Sequence, residues 1–238
     1  QQGCYRRSVQ IDGKCGWIEV SHLADKQQLL LQIAPTLSSV LLPLLAKIRQ
    51  QFDVEANPVV IAQHLQHDPL LAQQIVRTPG LRVPGSFDAF ELAIRAILGQ
   101  QVSVAGATTV SGRLVHKFGA LAESPWVGVT HHFPSPERLA GLGVEEIATI
   151  GVPKTRAATI QHFSSFTAAG GLQVQAGISL EVLVLRLKAL PGIGEWSAQY
   201  IAMRALRFPN AFPAGDLKMK KAVGGEASQL AARCTEKQ

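Results

Sequence analysis

The 238-residue chain contains few cysteines and few charged residues. Its three thiols, Cys4, Cys15 and Cys234, are odd in number and their spacing fits no zinc-binding pattern. We therefore expect a reducing compartment and thiols without a special role. Charged residues make up only 17% of the chain and hydrophobic residues 47%, a composition typical of a globular protein rather than a disordered one.

The sequence also lacks an uninterrupted apolar run. QQGCYRRSVQ, the first ten residues, has no apolar core of the kind found in signal peptides. Polar residues and two prolines interrupt the richest apolar stretch, LLLQIAPTLSSVLLPLLAKI, which therefore predicts no membrane span. No segment of about 20–50 residues repeats, which argues against a solenoid. We expect a cytoplasmic protein that does not enter a membrane.

Positive charge exceeds negative charge along the chain. Lysine and arginine together number 23 against 17 aspartates and glutamates, a formal net charge of +6. This balance favours a polyanionic partner such as a nucleic acid, although many basic proteins bind none.

Local patterns predict a small β element followed by many helices. Short β-like runs flank the turn at Asp12-Gly13-Lys14, which indicates a hairpin. From about Pro35 onward the apolar spacing becomes helical. Residue types that favour helix ends then predict three further helices. One begins at Ser135 and ends at Gly143, one begins at Pro153, and one runs from Ser179 to Leu190.

The segment LPGIGEWSAQY follows the last of these helices. Gly192 and Gly194 permit positive φ and lack a Cβ, so the turn backbone can approach another molecule closely. The next helix is predicted to start at about Glu195, which directs amide N–H groups and a positive dipole end toward the turn. A helix–hairpin–helix of this kind suits a phosphate, and an ordinary helix connection is the alternative.

A second notable segment, FPAGDLKMKK, places Asp216 sixteen residues after Tyr200. Pro213 and Gly215 place Asp216 at a turn before another helical run, with three lysines close behind it. Asp216 either caps that helix or supplies a carboxylate for chemistry beside a phosphate-binding surface.

Taken together, LPGIGEWSAQYIAMRALRFPNAFPAGDL resembles the helix-hairpin-helix, Gly/Pro-rich loop and aspartate signature of the base-excision DNA glycosylase superfamily. Within it, the chain is most similar to 3-methyladenine DNA glycosylase II, the AlkA type. Three further segments follow that subfamily in order: FELAIRAILGQQVSVAGATTVSGRLVHKFG, FPSPERLAGLG and GVPKTRAATI. The resemblance covers most of residues 52–224.

The resemblance implies an α+β fold, mostly α, in which a helix-hairpin-helix glycosylase bundle carries a small and incomplete N-terminal antiparallel β element. Residues 1–56 would be the remnant of an N-terminal β/α domain. Residues 57–88 and 209–238 would form a helical subdomain with the catalytic aspartate, and residues 89–208 the helical domain with the hairpin. Further strands at one end of the chain and a Trp-rich helix at the other would be missing.

The resemblance also implies a chemistry. Asp216 falls on the catalytic aspartate, which stabilises the oxocarbenium-like sugar. Trp196 and Tyr200 match the aromatics of the base pocket, with core packing as the alternative for both. Bifunctional relatives carry a lysine where Trp196 stands, and relatives with an iron–sulfur cluster need four cysteines beyond the aspartate, where this chain has Cys234 alone. We therefore expect no cluster and no lyase activity.

The expected function is hydrolysis of the N-glycosidic bond of alkylated bases, of the 3-methyladenine and 7-methylguanine type, after base flipping. Such an enzyme would act as a monomer on double-stranded DNA in base excision repair, at a bacterial nucleoid. Two alternatives stay open at this point: a DNA-binding module without catalysis, and a sister glycosylase for oxidised or deaminated bases.

DNA contacts follow from the same resemblance. The N–H groups of Gly192 and Gly194 would hold a phosphate with help from the Ser197 hydroxyl, and Lys218 would contact the DNA backbone. A structural Na⁺ or K⁺ would be held by main-chain carbonyls of the hairpin, namely those of Lys188, Leu190 and Ile193. Gln101 would fill the gap left by the flipped base, or would only satisfy a helix end. Lys154 and Arg156 would touch phosphates, or would be solvated charges at a helix start.

Overall fold

The computed structural model describes residues 3–173 and 177–222 of the chain, without the side chains of Leu70 and Ala222. Cys234 and the last part of the predicted 209–238 segment lie outside the described residues. The chain is mostly helical, with a small antiparallel sheet near residue 1, as the sequence predicts. Within the described ranges, no helix has the length and apolar character needed to cross a membrane.

The sheet contains three strands in the order β1-β2-β3: Tyr5–Ile11, Lys14–Leu23 and Gln28–Ile33. The predicted hairpin is confirmed. Ile11 pairs with Lys14, so that only Asp12 and Gly13 form the turn, and both have positive φ angles of 47° and 73°. That geometry is a type I′ turn, whose twist matches that of the two strands.

The helices, in chain order, carry the functional segments of the sequence. They are α1 Leu41–Gln51, α2 Pro58–Leu65, α3 Pro69–Arg77, α4 Ala89–Leu98, α5 Val104–Phe118, α6 Pro136–Ala140, α7 Val144–Ala148, α8 Lys154–Ala168, α9 Leu180–Lys188, α10 Glu195–Arg204 and α11 Leu217–Ala222. Two 3₁₀ helices, Ala24–Lys26 and Pro35–Val40, accompany the sheet.

The chain divides into two compact units. The first comprises Gln1–Ala46 and Leu98–Ala169, and the second comprises Lys47–Ile97 and Gly170–Gln238. The hairpin segment and Asp216 belong to the second unit, whereas Gln101 and Arg156 belong to the first. The three-part division derived from the sequence stays a prediction.

In the first unit, α6 and α7 pack against α8, and Leu139, Ile147 and Phe163 are fully buried there. The Ser135 hydroxyl caps α6 by accepting a hydrogen bond from the Arg138 N–H at 3.2 Å. The predicted end of this helix at Gly143 is wrong. The helix ends at Ala140, and Gly143 is instead the extended residue before α7, where its carbonyl accepts the Ile147 N–H. The predicted helix is therefore shorter than expected, and a separate short helix follows Gly143.

Two glycines of the first unit differ in the space that a side chain would find around them. A Cβ added to Gly119 would lie 2.1 Å from the His132 carbonyl oxygen and 2.5 Å from the Val115 carbonyl oxygen. Gly112 lies inside α5, and a Cβ there would meet nothing within 4 Å. The backbone at Gly119 packs too closely for any side chain, whereas the glycine at 112 only weakens its helix.

We predict that Gly119→Ala and Gly112→Ala change the free energy of unfolding in opposite directions, as measured by urea titration. Gly119→Ala lowers it by about 1–3 kcal/mol because backbone must move to admit the methyl group. Gly112→Ala raises it by about 0.5–1 kcal/mol because alanine restricts the unfolded chain and favours the helix. Equal effects of the two substitutions would contradict this packing.

Candidate active site

The helix–hairpin–helix predicted from LPGIGEWSAQY is present as α9, a turn and α10. Ser179 caps α9, its hydroxyl accepting the Val182 N–H at 3.3 Å, and α10 begins at Glu195 as predicted. The first helix ends at Lys188, two residues before the predicted Leu190. Of the two turn glycines, only Gly192 uses positive φ, at 83°.

Gly194 does not use the positive φ that the sequence allows at this position. With φ −90° and ψ 178° it is extended, and it is the residue that precedes α10, where its carbonyl accepts the Ala198 N–H at 3.0 Å. A Cβ at this position would meet nothing within 4 Å. The turn conformation therefore requires glycine at 192, whereas space at 194 is left for a close approach by another molecule.

Contacts between side chains hold the two helices of the hairpin together. The Lys188 ammonium contacts the Glu195 carboxylate at 2.6 Å, and buried Ile193 lies at the turn between them. Hydrogen bonds from Lys188 and Gln199 lower the pKa of Glu195, with the Lys188 charge adding to them. Because both partners are exposed, this ion pair contributes at most about 1 kcal/mol to stability.

Gln199 connects α10 to the loop that leads to Asp216. Its side-chain amide donates to the Glu195 carboxylate at 3.1 Å, and its amide oxygen accepts the backbone N–H of Phe212 at 3.1 Å. The role of Gln199 could not be predicted from the sequence. A glutamine between two aromatic residues on one helix gives no local signal, because its partner lies thirteen residues away.

Trp196, Tyr200 and Arg204 form a column along α10. The Trp196 and Tyr200 rings stack with centroids 5.1 Å apart and planes inclined by 14°. The Arg204 guanidinium lies 5.8 Å from the Tyr200 ring centroid and donates to the Pro84 carbonyl. Both rings are half-buried, so they are neither in the closed core nor on a fully open surface. Nothing in the local sequence predicts this position of Arg204, because its partner Pro84 lies 120 positions away.

Asp216 lies against this column and also begins α11. Its Oδ1 accepts the backbone N–H groups of Lys218 at 2.9 Å and Met219 at 3.1 Å, which is the geometry of a helix cap. Its Oδ2 accepts the indole N–H of Trp196 at 3.1 Å. The sequence offered capping and chemistry as alternatives for this carboxylate, but one oxygen caps the helix while the other lies at the predicted pocket aromatic.

The carboxyl group of Asp216 is held in its ionised form. Burial raises its pKa, but this effect is outweighed by the hydrogen bond from Met219, that from Trp196, that from Lys218 and the Lys218 charge, so that the pKa lies below its ordinary value. The ionised form therefore adds stability above the ordinary aspartate pKa, and this stability is lost as pH falls through the lowered value.

The other residues predicted to contact DNA or a cation differ in their exposure and contacts. Ser197 is only 3% exposed, on the buried side of α10, whereas the Lys218 side chain is exposed. The Leu190 carbonyl, one of the three predicted cation ligands, accepts the Ile193 N–H at 3.1 Å. Gln101 is exposed in the turn between α4 and α5 and has a φ of 56°.

Comparison with known families identifies the family of this chain. The family model of the HhH-GPD superfamily of base excision DNA repair proteins matches residues 94–225, more than half of the chain, and that of the AlkA N-terminal domain matches residues 1–88. DNA-3-methyladenine glycosylase 2 of Escherichia coli is 30% identical over 93% of this chain and 76% of its own length. The chain belongs to the HhH-GPD superfamily.

Two further proteins extend the comparison. A Mycobacterium tuberculosis protein named as a bifunctional transcriptional activator/DNA repair enzyme AlkA is 36% identical over 93% of this chain. The chain spans 44% of the length of that relative. The structure of a 3-methyladenine DNA glycosylase from Archaeoglobus fulgidus covers 99% of this chain and superposes with a TM-score of 0.79. At 22% identity, that likeness establishes a shared fold alone.

We predict that Trp196→Phe raises the pKa of Asp216 in this HhH-GPD chain, because phenylalanine keeps an aromatic ring but removes the indole donor. The carboxyl carbon of Asp216, followed by NMR as a function of pH, reports the shift. Stability that depends on the ionised carboxylate is then lost at a higher pH than in the parent protein.

Tyr200→Phe is the matched control, because the Tyr200 hydroxyl lies 3.5 Å from the Arg204 guanidinium rather than at the carboxylate. Tyr200→Phe should leave the pKa of Asp216 unchanged. An unchanged or lower pKa in Trp196→Phe would contradict the role of the indole hydrogen bond.

Proposed function

We propose that this chain is a monofunctional DNA glycosylase that hydrolyses the N-glycosidic bond of alkylated bases, of the 3-methyladenine and 7-methylguanine type, in double-stranded DNA. The observation that carries the proposal is the contact between the ionised Asp216 and the indole of the stacked Trp196–Tyr200 pair. It joins a fixed negative charge to an electron-rich aromatic surface.

The aromatic pair suits a cationic base. A purine alkylated at a ring nitrogen carries positive charge, and a flipped base of this kind is attracted to the face of an indole or phenol ring. The Arg204 guanidinium lies against Tyr200, so the tryptophan end of the column is the one available to such a base. Trp196 would therefore make the main contact with the damaged base.

Asp216 would act on the sugar. When the bond between the base and C1′ breaks, its electron pair leaves with the base, which becomes neutral, and positive charge develops on the sugar. The carboxylate stabilises that charge, and a water molecule then adds to C1′ and releases a proton to solvent. Because the pKa of Asp216 is lowered, the group is a weak base, which favours electrostatic stabilisation over proton abstraction.

DNA would be held by the hairpin and by Lys218. The Gly192–Gly194 turn brings the start of α10 close to a phosphate, and the exposed Lys218 adds a positive charge beside Asp216. Ser197 would contribute through its backbone, since its side chain is buried. The carbonyls of Lys188, Leu190 and Ile193 would share one monovalent cation, with the second lone pair of the Leu190 oxygen as its ligand.

Absence of lyase activity is part of the same proposal. Cutting the DNA strand through a Schiff base requires a nucleophilic amine at the reacting sugar. Trp196 stands where bifunctional members of the superfamily carry a lysine, and the nearest lysine after Asp216, Lys218, has an exposed side chain. We therefore propose water as the nucleophile.

Asp216→Asn is predicted to lower release of 3-methyladenine from methylated DNA by at least about 10²-fold, while binding to the same DNA is retained. Asparagine is also a good helix cap, so α11 should stay in place while the charge is lost. Release is measured by chromatography of the free base under single-turnover conditions.

Asp88→Asn is the matched control, since Asp88 also accepts a backbone N–H, that of Glu91 at 2.8 Å. It should release base at the parent rate. Undiminished release by Asp216→Asn would overturn the assignment of the catalytic group.

Borohydride treatment during the reaction is predicted to give no covalent protein–DNA adduct, because no Schiff base forms. A bifunctional glycosylase/lyase treated in parallel shows that trapping works. A trapped adduct of this chain, seen as a shifted band in a denaturing gel, would contradict the monofunctional mechanism.

A further inference from the structure

The turn between α4 and α5 holds a residue in an unfavourable backbone conformation. Gln101 has a φ of 56°, in the left-handed region that glycine, asparagine and aspartate tolerate best. Its side chain is exposed, so no burial of apolar surface offsets this cost. A strained residue persists only where its surroundings hold it in place, and such strain is common at functional sites.

One side chain supplies such a constraint. The Arg156 guanidinium, from the first turn of α8, donates to the carbonyl oxygen of Gln100 at 2.6 Å across 56 positions of the sequence. That carbonyl belongs to the peptide bond that precedes Gln101. Fixing the plane of this peptide bond restricts rotation about the N–Cα bond of Gln101, which is its φ angle.

The turn is also fixed on its other side. The Ser103 hydroxyl accepts the Gly106 N–H at 3.1 Å and so caps α5. Gln101 and Val102 lie between these two hydrogen-bonded residues, and Val102 is 42% exposed. The turn therefore presents two outward side chains on a backbone that is held at both ends.

We propose that Arg156 is a positioning residue: it holds the Gln100–Ser103 turn in the shape that presents Gln101 to the gap left by a flipped base. This inference rests on the proposed function, because Gln101 is the residue expected to fill that gap. Arg156 acts through the backbone of Gln100. The contact with Gln100 thus favours positioning over the phosphate contact that the sequence also allowed.

A consequence follows for different DNA substrates. In a fully paired duplex the target base must be unstacked, and a residue that fills the gap lowers that cost. In a duplex where the damaged base sits in a single-nucleotide bulge, the base is already poorly stacked and no gap in a pair needs filling. Loss of Arg156 should therefore slow base release from the paired duplex and spare release from the bulge.

The test compares single-turnover release of 3-methyladenine from both substrates by the parent chain, Arg156→Ala and Arg156→Lys. Arg156→Ala is expected to be slower by about tenfold on the paired duplex, the effect of losing one charge-assisted hydrogen bond. On the bulged duplex, Arg156→Ala should release the base at the same rate as the parent chain. Arg156→Lys should be intermediate on the paired duplex, because an ammonium can still donate to the carbonyl. Arg138→Ala removes an exposed arginine of α6 and controls for the loss of one positive charge.

Each other result overturns the proposal. If Arg156→Ala releases base more slowly by the same factor on both substrates, Arg156 has a general structural or catalytic role. If it releases base at the parent rate on both substrates, the hydrogen bond is without consequence. Weaker binding to undamaged DNA, with a salt dependence reduced by about one charge, indicates a direct phosphate contact.

A second readout separates this proposal from the proposed function. The fluorescence of 2-aminopurine, placed beside the target base, rises when that base is unstacked upon binding, whether or not a bond is cleaved. Arg156→Ala should give a smaller rise than Arg138→Ala. If the parent chain releases no base, the glycosylase assignment fails, and the fluorescence comparison alone then supports or overturns the role of Arg156.

Discussion

The hydrogen bond from the Trp196 indole to the Asp216 carboxylate is the contact on which the candidate site depends. It joins the first turn of α10 to the first residue before α11, across twenty positions of the sequence. The same contact orients the ring that would meet a base and holds the charge that would meet a sugar. Because one bond serves both, it couples the position of the aromatic surface to that of the carboxylate.

Further contacts support this arrangement. Gln199 ties α10 to the loop before Asp216, and the ion pair of Lys188 with Glu195 ties α10 back to α9. The hairpin that would bind a phosphate and the carboxylate that would act on the sugar are thus both held by contacts with α10. In a proposed enzyme of this kind, the position of the DNA backbone and the position of the reacting sugar would be set together.

The balance of charge at Asp216 matters as much as its position. Two backbone N–H groups and one indole stabilise the negative form, and the exposed Lys218 lies beside it. A carboxylate with so many donors remains ionised but binds protons weakly. Such a group suits the stabilisation of positive charge better than the removal of a proton from water, and an already cationic leaving base needs no acid.

The sequence predicted those features that depend on local signals. Ser179 as a cap, Glu195 as a helix start and the Asp12-Gly13 turn each follow from residues within a few positions, because capping and turn formation are local. Gly143 was assigned to the wrong helix, since the same glycine suits the end of one helix and the start of the next.

Contacts between distant segments could not be predicted. Gln199 and Arg204 have partners on other segments, and so does Arg156, whose contact with Gln100 crosses 56 positions. For Asp216, capping and chemistry could not be separated by sequence because both need the same residue at the same turn. Only the placement of its second oxygen against Trp196 distinguishes a cap from a candidate catalytic group.

The central claim is that the charge of Asp216 stabilises positive charge on the sugar. The most direct measurement compares the affinities of two DNA duplexes, one with a cationic pyrrolidine in place of the target sugar and one with a neutral tetrahydrofuran of the same shape. The account predicts that the parent chain prefers the cationic duplex by at least about 10²-fold and that Asp216→Asn binds both equally. The same preference in both proteins would contradict it.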